Sequence, residues 1–267
     1  MPLYPNSLIP VSFYNSEVLF VVITGIFYID SFMRSGVEED FFTDIYLYLW
    51  NCNLNIVFTI VFLVVFQELC VMDSYKKIFN RFDRYIITRV GYMNFYKKEI
   101  KTIALKSLAY YYLLHTIMLL YCLIKYGYRT SPNIDLYKYQ LFCSNPLLNI
   151  ILFIILSSFG LIIFNCFIFS LSSFIKNMYL YRFTSLASFF VTILLSVIFS
   201  TLIQKIFGVT DLIKTIGQSL MITSLLQPGM AFMRYGFLNF SIAAIIFIIL
   251  TIVTLSIAIK YRMKYDG

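Results

Sequence analysis

The side chains that most often carry chemistry are few in this sequence of 267 residues. It has one histidine, His115, and its cysteines show neither the CxxC nor the Cys/His spacing of a metal site. No GxxxxGK[ST] sequence occurs, so the chain lacks the loop that cradles the phosphates of ATP. We therefore predict no catalytic residue, no metal and no cofactor in this chain. Any ATP hydrolysis would take place on another polypeptide.

The cysteines leave two interpretations open. Cys122 and Cys143 could flank one external loop and form a disulfide. The set is odd in number and scattered, which is typical of cysteines that act as small apolar residues. The five are Cys52, Cys70, Cys122, Cys143 and Cys166.

Three polar side chains fall inside strongly apolar segments. Asn51 and Asn55 share one helical face, and His115 follows three tyrosines, Tyr110 to Tyr112. Buried amides must be hydrogen-bonded, so the asparagines either join helices to each other or line the exit of a translocation path. His115 is either a neutral packing residue or part of a proton relay, and no second buried titratable group is evident beside it.

The composition indicates a protein that crosses a membrane several times. Only 13% of the residues are charged and 60% are hydrophobic, whereas a water-soluble domain has about 25% charged residues. The net charge of +8 could indicate nucleic-acid binding. The lysines and arginines follow the loops between apolar segments and form no single binding face, so we expect no nucleic-acid partner.

Six segments are long and apolar enough to cross the hydrocarbon as helices, which needs about 20 residues each. The first is open to a second interpretation, because Glu17 interrupts it: a helix over 11–30 would place this carboxylate inside the membrane. We prefer a start at Ser16, which can act as an N-cap. The sequence thus predicts an all-α, polytopic membrane protein with one transmembrane domain, 1–267, and spans near 16–33, 45–67, 102–124, 147–174, 183–203 and 237–259.

Charge in the connecting segments predicts the orientation. With both termini in the cytosol, about two thirds of the 21 lysines and arginines lie on the cytosolic side, as the positive-inside rule requires. Residues 204–236 then form a long external segment that mixes apolar runs with Gly208, Gly217, Pro228 and Gly229. We predict two short helices that dip into or lie on the outer leaflet, because backbone at that depth must satisfy its own hydrogen bonds. A surface loop is the alternative.

The densest basic and aromatic stretch, NRFDRYIITRVGYMNFYKKEIK at 80–101, lies between the second and third predicted spans. Helical spacing places one set of side chains on a common face, and Gly91 offers a break after it. Aromatic residues with an arginine are typical of a protein-binding surface, but the same pattern fits a helix that lies on anionic lipid. The set is Phe82, Tyr85, Ile86, Arg89 and Val90.

A family resemblance favours the protein-binding interpretation. Glu68 near the end of the second span, the run RYIITRVGYMNFYKKEIK and the long segment before the last span stand in an order that resembles the small six-span permease subunits of type-2 ABC exporters of bacteria. The similarity of layout covers nearly the whole chain, although residues 1–15 lack the charged side chains of the elbow helix usual in that family. The resemblance implies that the helix predicted over 80–93 is a cytosolic coupling helix, and that a re-entrant external hairpin precedes the last span.

The same resemblance implies the partners and the activity. The chain would be the permease subunit of an exporter in the bacterial plasma membrane, working with a second copy or a homologous permease chain and a dimer of cytosolic ATPase subunits that bind ATP and Mg. Together, Phe and Tyr number 50 residues (28 and 22), which suits amphipathic peptide or hydrophobic cargo, as in antimicrobial peptide export or immunity. An AT-rich genome would produce the same aromatic content.

Other functions are kept as alternatives. An ATP-independent transporter or an immunity protein would need no ATPase, although the sequence lacks the inverted repeats and paired midplane charges of many secondary transporters. An intramembrane enzyme fits less well. The pair Glu38 and Glu39 resembles the EExxxR element of membrane-embedded CAAX-type proteases, but Thr43 stands where the arginine would be.

Overall fold

The computed structural model describes residues 46, 50, 56–80, 82–128, 142, 145–207, 216–228 and 236–265. These residues form helices and their connections, and this part of the chain contains no strand. The helices are α1 (Ile56–Cys70), α2 (Met72–Phe79), α3 (Phe82–Val90), α4 (Tyr92–Tyr126), α5 (Pro146–Ser170), α6 (Met178–Arg182), α7 (Thr184–Phe207), α8 (Thr223–Leu226) and α9 (Gly236–Tyr265). A short 3-10 turn, Leu171–Ser173, follows α5.

Four of these helices are long and apolar enough to cross a membrane: the apolar regions are Tyr92–Tyr126, Leu147–Ser173, Thr184–Lys205 and Phe237–Arg262. Each region contains one of the predicted spans 102–124, 147–174, 183–203 and 237–259. The exceptions are single residues at the ends of two spans, 174 and 183. α1 is apolar but shorter, and it covers only the second half of the predicted span 45–67. The predicted span 16–33 lies outside the described residues. The chain is therefore a helical, membrane-embedded protein with four candidate spans in the described part.

Consecutive candidate spans run in opposite directions, so the bundle has two ends. One end holds α2, α3, the start of α4, the connection between α5 and α7, and the last turns of α9. We call it the basic end, because Lys76, Lys77, Arg89 and Arg262 lie there. The opposite end holds the last turn of α4 and the start of α5.

α5 is the central helix of the bundle. It packs against α4, α9 and α8, and 44% of its apolar window is buried inside the chain, against 11% for α7. Asn145 caps its first turn by accepting hydrogen bonds from the backbone N–H groups of Leu147 and Leu148, and Pro146 stands where no N–H is needed. α7 is consequently the most peripheral of the four, with most of its surface exposed.

Polar side chains join α4 to α5 in antiparallel register. The amide of Asn165 donates to Ser107 Oγ at 2.8 Å, and Tyr111 shares a hydrogen bond with Ser157 one turn further along α4. Both pairs are buried. Small hydroxyl and amide groups let apolar helices approach closely and add hydrogen bonds that lipid cannot replace.

Residues 216–228 are packed inside the bundle. A Cβ built on Gly160, which lies more than half way along α5, would sit 2.0 Å from the carbonyl oxygen of Leu225. Ser196 of α7 donates to the Gly217 carbonyl at 2.7 Å, and Gln227 donates to Thr59 of α1 at 3.2 Å. The segment therefore contacts α1, α5 and α7 well away from the end of the bundle. Gly208 and Gly229 lie outside the described residues.

The cysteines in the described part are buried free thiols: Cys70, Cys122 and Cys166. Cys52 and Cys143 lie outside the described residues. Cys122 packs in the hydrophobic core of the bundle, in the last turns of α4.

Candidate docking surface

The outer face of α3 presents an aromatic and a cationic side chain to solvent. α3 has nine residues and ends at Val90, after which Gly91 adopts φ 79°, a left-handed conformation that glycine takes without strain. This is the break that the sequence predicted. Tyr85 is 74% exposed, and Arg89, one turn later, is exposed beside Val90. We call Tyr85, Arg89 and Val90 the outer face of α3.

The other predicted site residues are placed differently. Ile86 is half-buried and packs against the hydrophobic core, so it does not belong to the outer face. Nothing is described for the side chain of Phe82. Asn51 and Asn55 lie outside the described residues.

The inner face of α3 is fixed by a buried ion pair that sequence reasoning missed. Asp83 is 1% exposed and accepts a hydrogen bond from Arg262 near the end of α9, whose side chain is only 14% exposed. Ile87, one turn after Asp83, is buried on the same side, and the Tyr92 hydroxyl donates to the Arg262 carbonyl at 3.4 Å. The only sequence signal was a lone acidic residue on the side of the helix away from Tyr85 and Arg89.

A second buried carboxylate fixes α2 to α4. Glu99 is 2% exposed, and Lys77 donates to its two oxygens at 2.8 and 2.9 Å. Ser74 donates to the same carboxylate at 2.6 Å. Because these donors replace the water that burial removes, the carboxylate stays satisfied and holds the two helices in one geometry.

The length of α4 sets the position of α3 relative to the membrane. α4 has 35 residues, whereas about 20 residues cross the hydrocarbon. Lys97, Lys98 and Lys101 are exposed, which places the first part of α4 outside the apolar layer because charged groups are costly there. With residues 102–124 across the hydrocarbon, α4 begins roughly 15 Å beyond its edge. The headgroup layer is only about 5–8 Å thick, so the start of an upright α4 would then lie beyond it.

The connection between α5 and α7 is fixed to the basic end by two stacked tyrosines. The rings of Tyr75 and Tyr181 lie 3.8 Å apart and nearly parallel, and both side chains are buried. Their hydroxyls donate to the carbonyls of Ile175 and Ile168, each at 3.0 Å. Gln67 of α1 adds a bridge, because its amide donates to the Tyr181 carbonyl and its oxygen accepts from the Ser185 N–H.

This arrangement predicts a loss of stability at alkaline pH. Burial raises the pKa of Tyr181 well above its ordinary value of 10.0, so above that pH the unfolded chain releases a proton that the folded chain keeps. The free energy of unfolding should therefore fall as pH rises past 10.0, by up to about 1.4 kcal/mol per pH unit for this group. Thermal unfolding in detergent at several pH values would measure it, and Tyr181→Phe should make the decline shallower. An unchanged slope in that variant would contradict the prediction.

His115 lies in a buried aromatic cluster in the half of α4 nearer the opposite end. Its ring stacks on Trp50 with centroids 4.2 Å apart, and its Nδ1 forms a hydrogen bond with the Tyr46 hydroxyl. Tyr111 packs on it with centroids 4.0 Å apart. Nε2 of His115 has no hydrogen-bond partner among the described residues. The ring is 1% exposed, so the cluster around it is closed packing in this conformation.

The described residues contain no group of three or more His, Cys, Asp and Glu side chains that could hold a metal ion. The two buried carboxylates at the basic end are instead paired with cations, Asp83 with Arg262 and Glu99 with Lys77. Such pairs can fix and transmit the position of helices. The basic end is therefore built as a rigid platform that presents the outer face of α3.

Comparisons of the chain with known proteins found no matching family model, no matching curated protein and no matching solved structure.

Proposed function

We propose that this chain is the permease subunit of an ATP-driven ABC exporter, and that the outer face of α3 binds a separate cytosolic ATPase subunit. The observation that carries the proposal is the position of α3. It exposes Tyr85 and Arg89 at the surface of the basic end, on a helix whose other side is fixed to α9 by a buried ion pair. Aromatic and arginine side chains on a fixed surface are the residues that most often dominate binding energy in protein interfaces.

The position of α3 weakens the lipid interpretation of this helix. A helix that lies on the membrane buries its apolar face about 5–10 Å into the boundary between headgroups and acyl chains. α3 directs its apolar residues Ile86 and Ile87 towards the protein core, and it is separated from the hydrocarbon by the first turns of α4. A water-soluble partner suits the exposed Tyr85 and Arg89 better.

The anchorage of α3 suggests how a motor would act on the spans. A push on α3 would reach α9 through Asp83 and Arg262. It would reach α4 directly, because only Gly91 separates the two helices. The pair Glu99 and Lys77 would move α2 with α4. We propose that closure of an ATPase dimer tilts these helices together, as a rigid-body change with no chemistry on the cargo.

The proposal includes finer features of the fold. It takes the chain as six spans, with 16–33 and 45–67 added to the four candidate spans, both termini in the cytosol and a location in the bacterial plasma membrane. It takes residues 216–228 as part of a re-entrant external hairpin, because Leu225 reaches the second half of α5 beside Gly160. A second permease chain, identical or homologous, would complete the path for amphipathic peptide or hydrophobic cargo, and Asn51, Asn55 and His115 stay proposed as residues of that path.

Purification of the tagged full chain in mild detergent from the cells that make it tests the proposal. We expect an ATPase subunit with a phosphate-binding loop to co-purify, identified by mass spectrometry. Tyr85→Asp and Arg89→Asp should each reduce its recovery about tenfold or more, as the loss of an interface hot spot of about 2 kcal/mol predicts.

Lys205→Asp provides the matched control. It makes the same change of charge as Arg89→Asp, but at an exposed position in the last turn of α7, at the opposite end of the bundle. It should leave the recovery of the ATPase unchanged. Full recovery of the ATPase subunit with both α3 variants would show that the docking surface lies elsewhere. Transport in liposomes by the chain alone, without ATP, would favour a self-contained transporter. If no ATPase co-purifies with the chain, the permease proposal is wrong.

A further inference from the structure

A second exposed apolar surface lies at the basic end, in the connection between α5 and α7. Four large side chains there are about half exposed or more, and Lys176 beside them is exposed. The only residue of α6 that turns fully inward is Tyr181. The exposed apolar set is Phe174 (48%), Tyr179 (75%), Leu180 (63%) and Phe183 (57%).

This surface lies at the edge of the hydrocarbon. The Tyr181 hydroxyl donates to the carbonyl of Ile168, which belongs to the candidate span Leu147–Ser173. Only the length of the Tyr181 side chain therefore separates the backbone of α6 from that span. On its other side, Phe183 is followed at once by Thr184, the first residue of the candidate span in α7. α6 is thus at the level of the headgroups, whereas the first ten residues of α4 stand between α3 and the predicted span 102–124.

The same surface continues into the part of α7 that faces lipid. Phe183, Phe190 and Leu194 are separated by seven and four residues, so they share one helical face, and each is about half exposed or more. α7 is the least buried of the four candidate spans. The apolar strip that begins on α6 has no polar interruption before it enters the hydrocarbon.

We propose that the segment 174–183 is an interfacial membrane anchor, in which Tyr179 and Leu180 insert into the boundary between headgroups and acyl chains and Lys176 contacts lipid phosphate. Aromatic side chains are enriched at this depth, and a nearby lysine gains energy from anionic lipid. The nearby cation Arg182 is directed elsewhere, because it pairs with Glu68 at 3.4 Å. The proposal does not rest on the binding of an ATPase to α3.

Quenching of tryptophan fluorescence by brominated lipid tests this anchor. The full chain, reconstituted alone into vesicles of phosphatidylcholine and phosphatidylglycerol, has a single native tryptophan, Trp50, whose own quenching is measured first and subtracted. Tyr179→Trp should add emission that is quenched at least about twofold more by lipid brominated near the headgroups than by aqueous iodide, because interfacial residues sit ~5–10 Å into this boundary. Leu180→Trp should behave in the same way and serves as a second reporter.

Tyr85→Trp is the matched control, since it makes the same substitution at an equally exposed tyrosine of α3. Its added emission should be quenched by iodide and be insensitive to brominated lipid. Iodide quenching of both Tyr179→Trp and Leu180→Trp, with no effect of brominated lipid, would overturn the anchor and leave α6 as a surface for a water-soluble partner. A lipid-quenched Tyr85→Trp would instead count against the docking proposal for α3 and leave the anchor standing.

Discussion

Asp83→Ala should lower the free energy of unfolding by about 3–5 kcal/mol, because it leaves a mostly buried guanidinium without its carboxylate. Asp83 is 1% exposed and Arg262 is 14% exposed, so water cannot readily replace the lost partner. The pair joins α3 to the last helix across 179 residues of chain. Unfolding in detergent micelles, followed by loss of helix, measures the change. The variant should also weaken ATPase recovery, since α3 would no longer be fixed in its docking orientation.

An exposed ion pair at the same end of the bundle is the matched control. Glu68 and Arg182 are 37% and 41% exposed and lie 3.4 Å apart, so Glu68→Ala should cost about 0–1 kcal/mol. The double variant Asp83→Ala with Arg262→Met should recover much of the loss, because no charge is then left buried. Equal small effects of Asp83→Ala and Glu68→Ala would show that the buried pair does not fix α3.

The sequence could predict the spans and the helix break, because both depend on local composition. Long apolar segments, in which Lys106 is the only charged residue, place four spans that largely coincide with observed helices, and Gly91 marks the end of α3. The face of α3 is harder to assign, since Phe82, Ile86, Ile87 and Val90 put apolar residues on more than one side of a nine-residue helix. Only packing against the core decides that Ile86 and Ile87 turn inward while Val90 stays exposed.

Contacts between distant parts of the chain could not be predicted. Asp83 with Arg262 and Tyr46 with His115 are separated by 179 and 69 residues, and no local pattern indicates either pair. In a membrane protein, hydropathy also fails to separate the core from the lipid-facing surface, because both are apolar. The sequence therefore identified His115 as a polar residue within a span without indicating that aromatic rings enclose it.

The position of residues 216–228 depends on a glycine that carried no sequence signal. LMITSLL is too short to be a span, and hydropathy alone fits a surface loop or a re-entrant segment equally well. The structure packs this segment against α5 at Gly160, where only the missing side chain permits the backbone of Leu225 to approach. A glycine allows two backbones to approach closely only where the tertiary fold brings a second segment to it. One isolated glycine in an apolar helix therefore does not predict such a contact.

Gly160→Ala tests this close approach, because the sign of the change in the free energy of unfolding shows whether the added methyl group has space. Alanine within a helix is normally favoured over glycine by about 0.5–1 kcal/mol, so the substitution would stabilise α5 if space allowed. The added Cβ would instead sit 2.0 Å from the Leu225 carbonyl oxygen and 2.6 Å from its carbon, both backbone atoms that cannot rotate away. We expect a net loss of about 1–3 kcal/mol or more, as in overpacked cores. Hydrogen exchange of residues 222–228 should become faster as the segment is displaced.

Gly217→Ala tests whether a clash with a movable side chain costs less free energy of unfolding than the clash of Gly160→Ala with backbone atoms. Its Cβ would meet Ser200 Oγ at 1.9 Å, but this atom ends a short side chain that can change rotamer, and the next atom is Ser200 Cβ at 3.1 Å. The cost should therefore be smaller than for Gly160→Ala, and Ser200→Ala in the same chain should relieve most of it. No comparable partner relieves Gly160→Ala, because the obstructing atoms belong to the backbone. A stabilised Gly160→Ala variant with unchanged exchange at 222–228 would place this segment outside the bundle, and the re-entrant hairpin would fail with it.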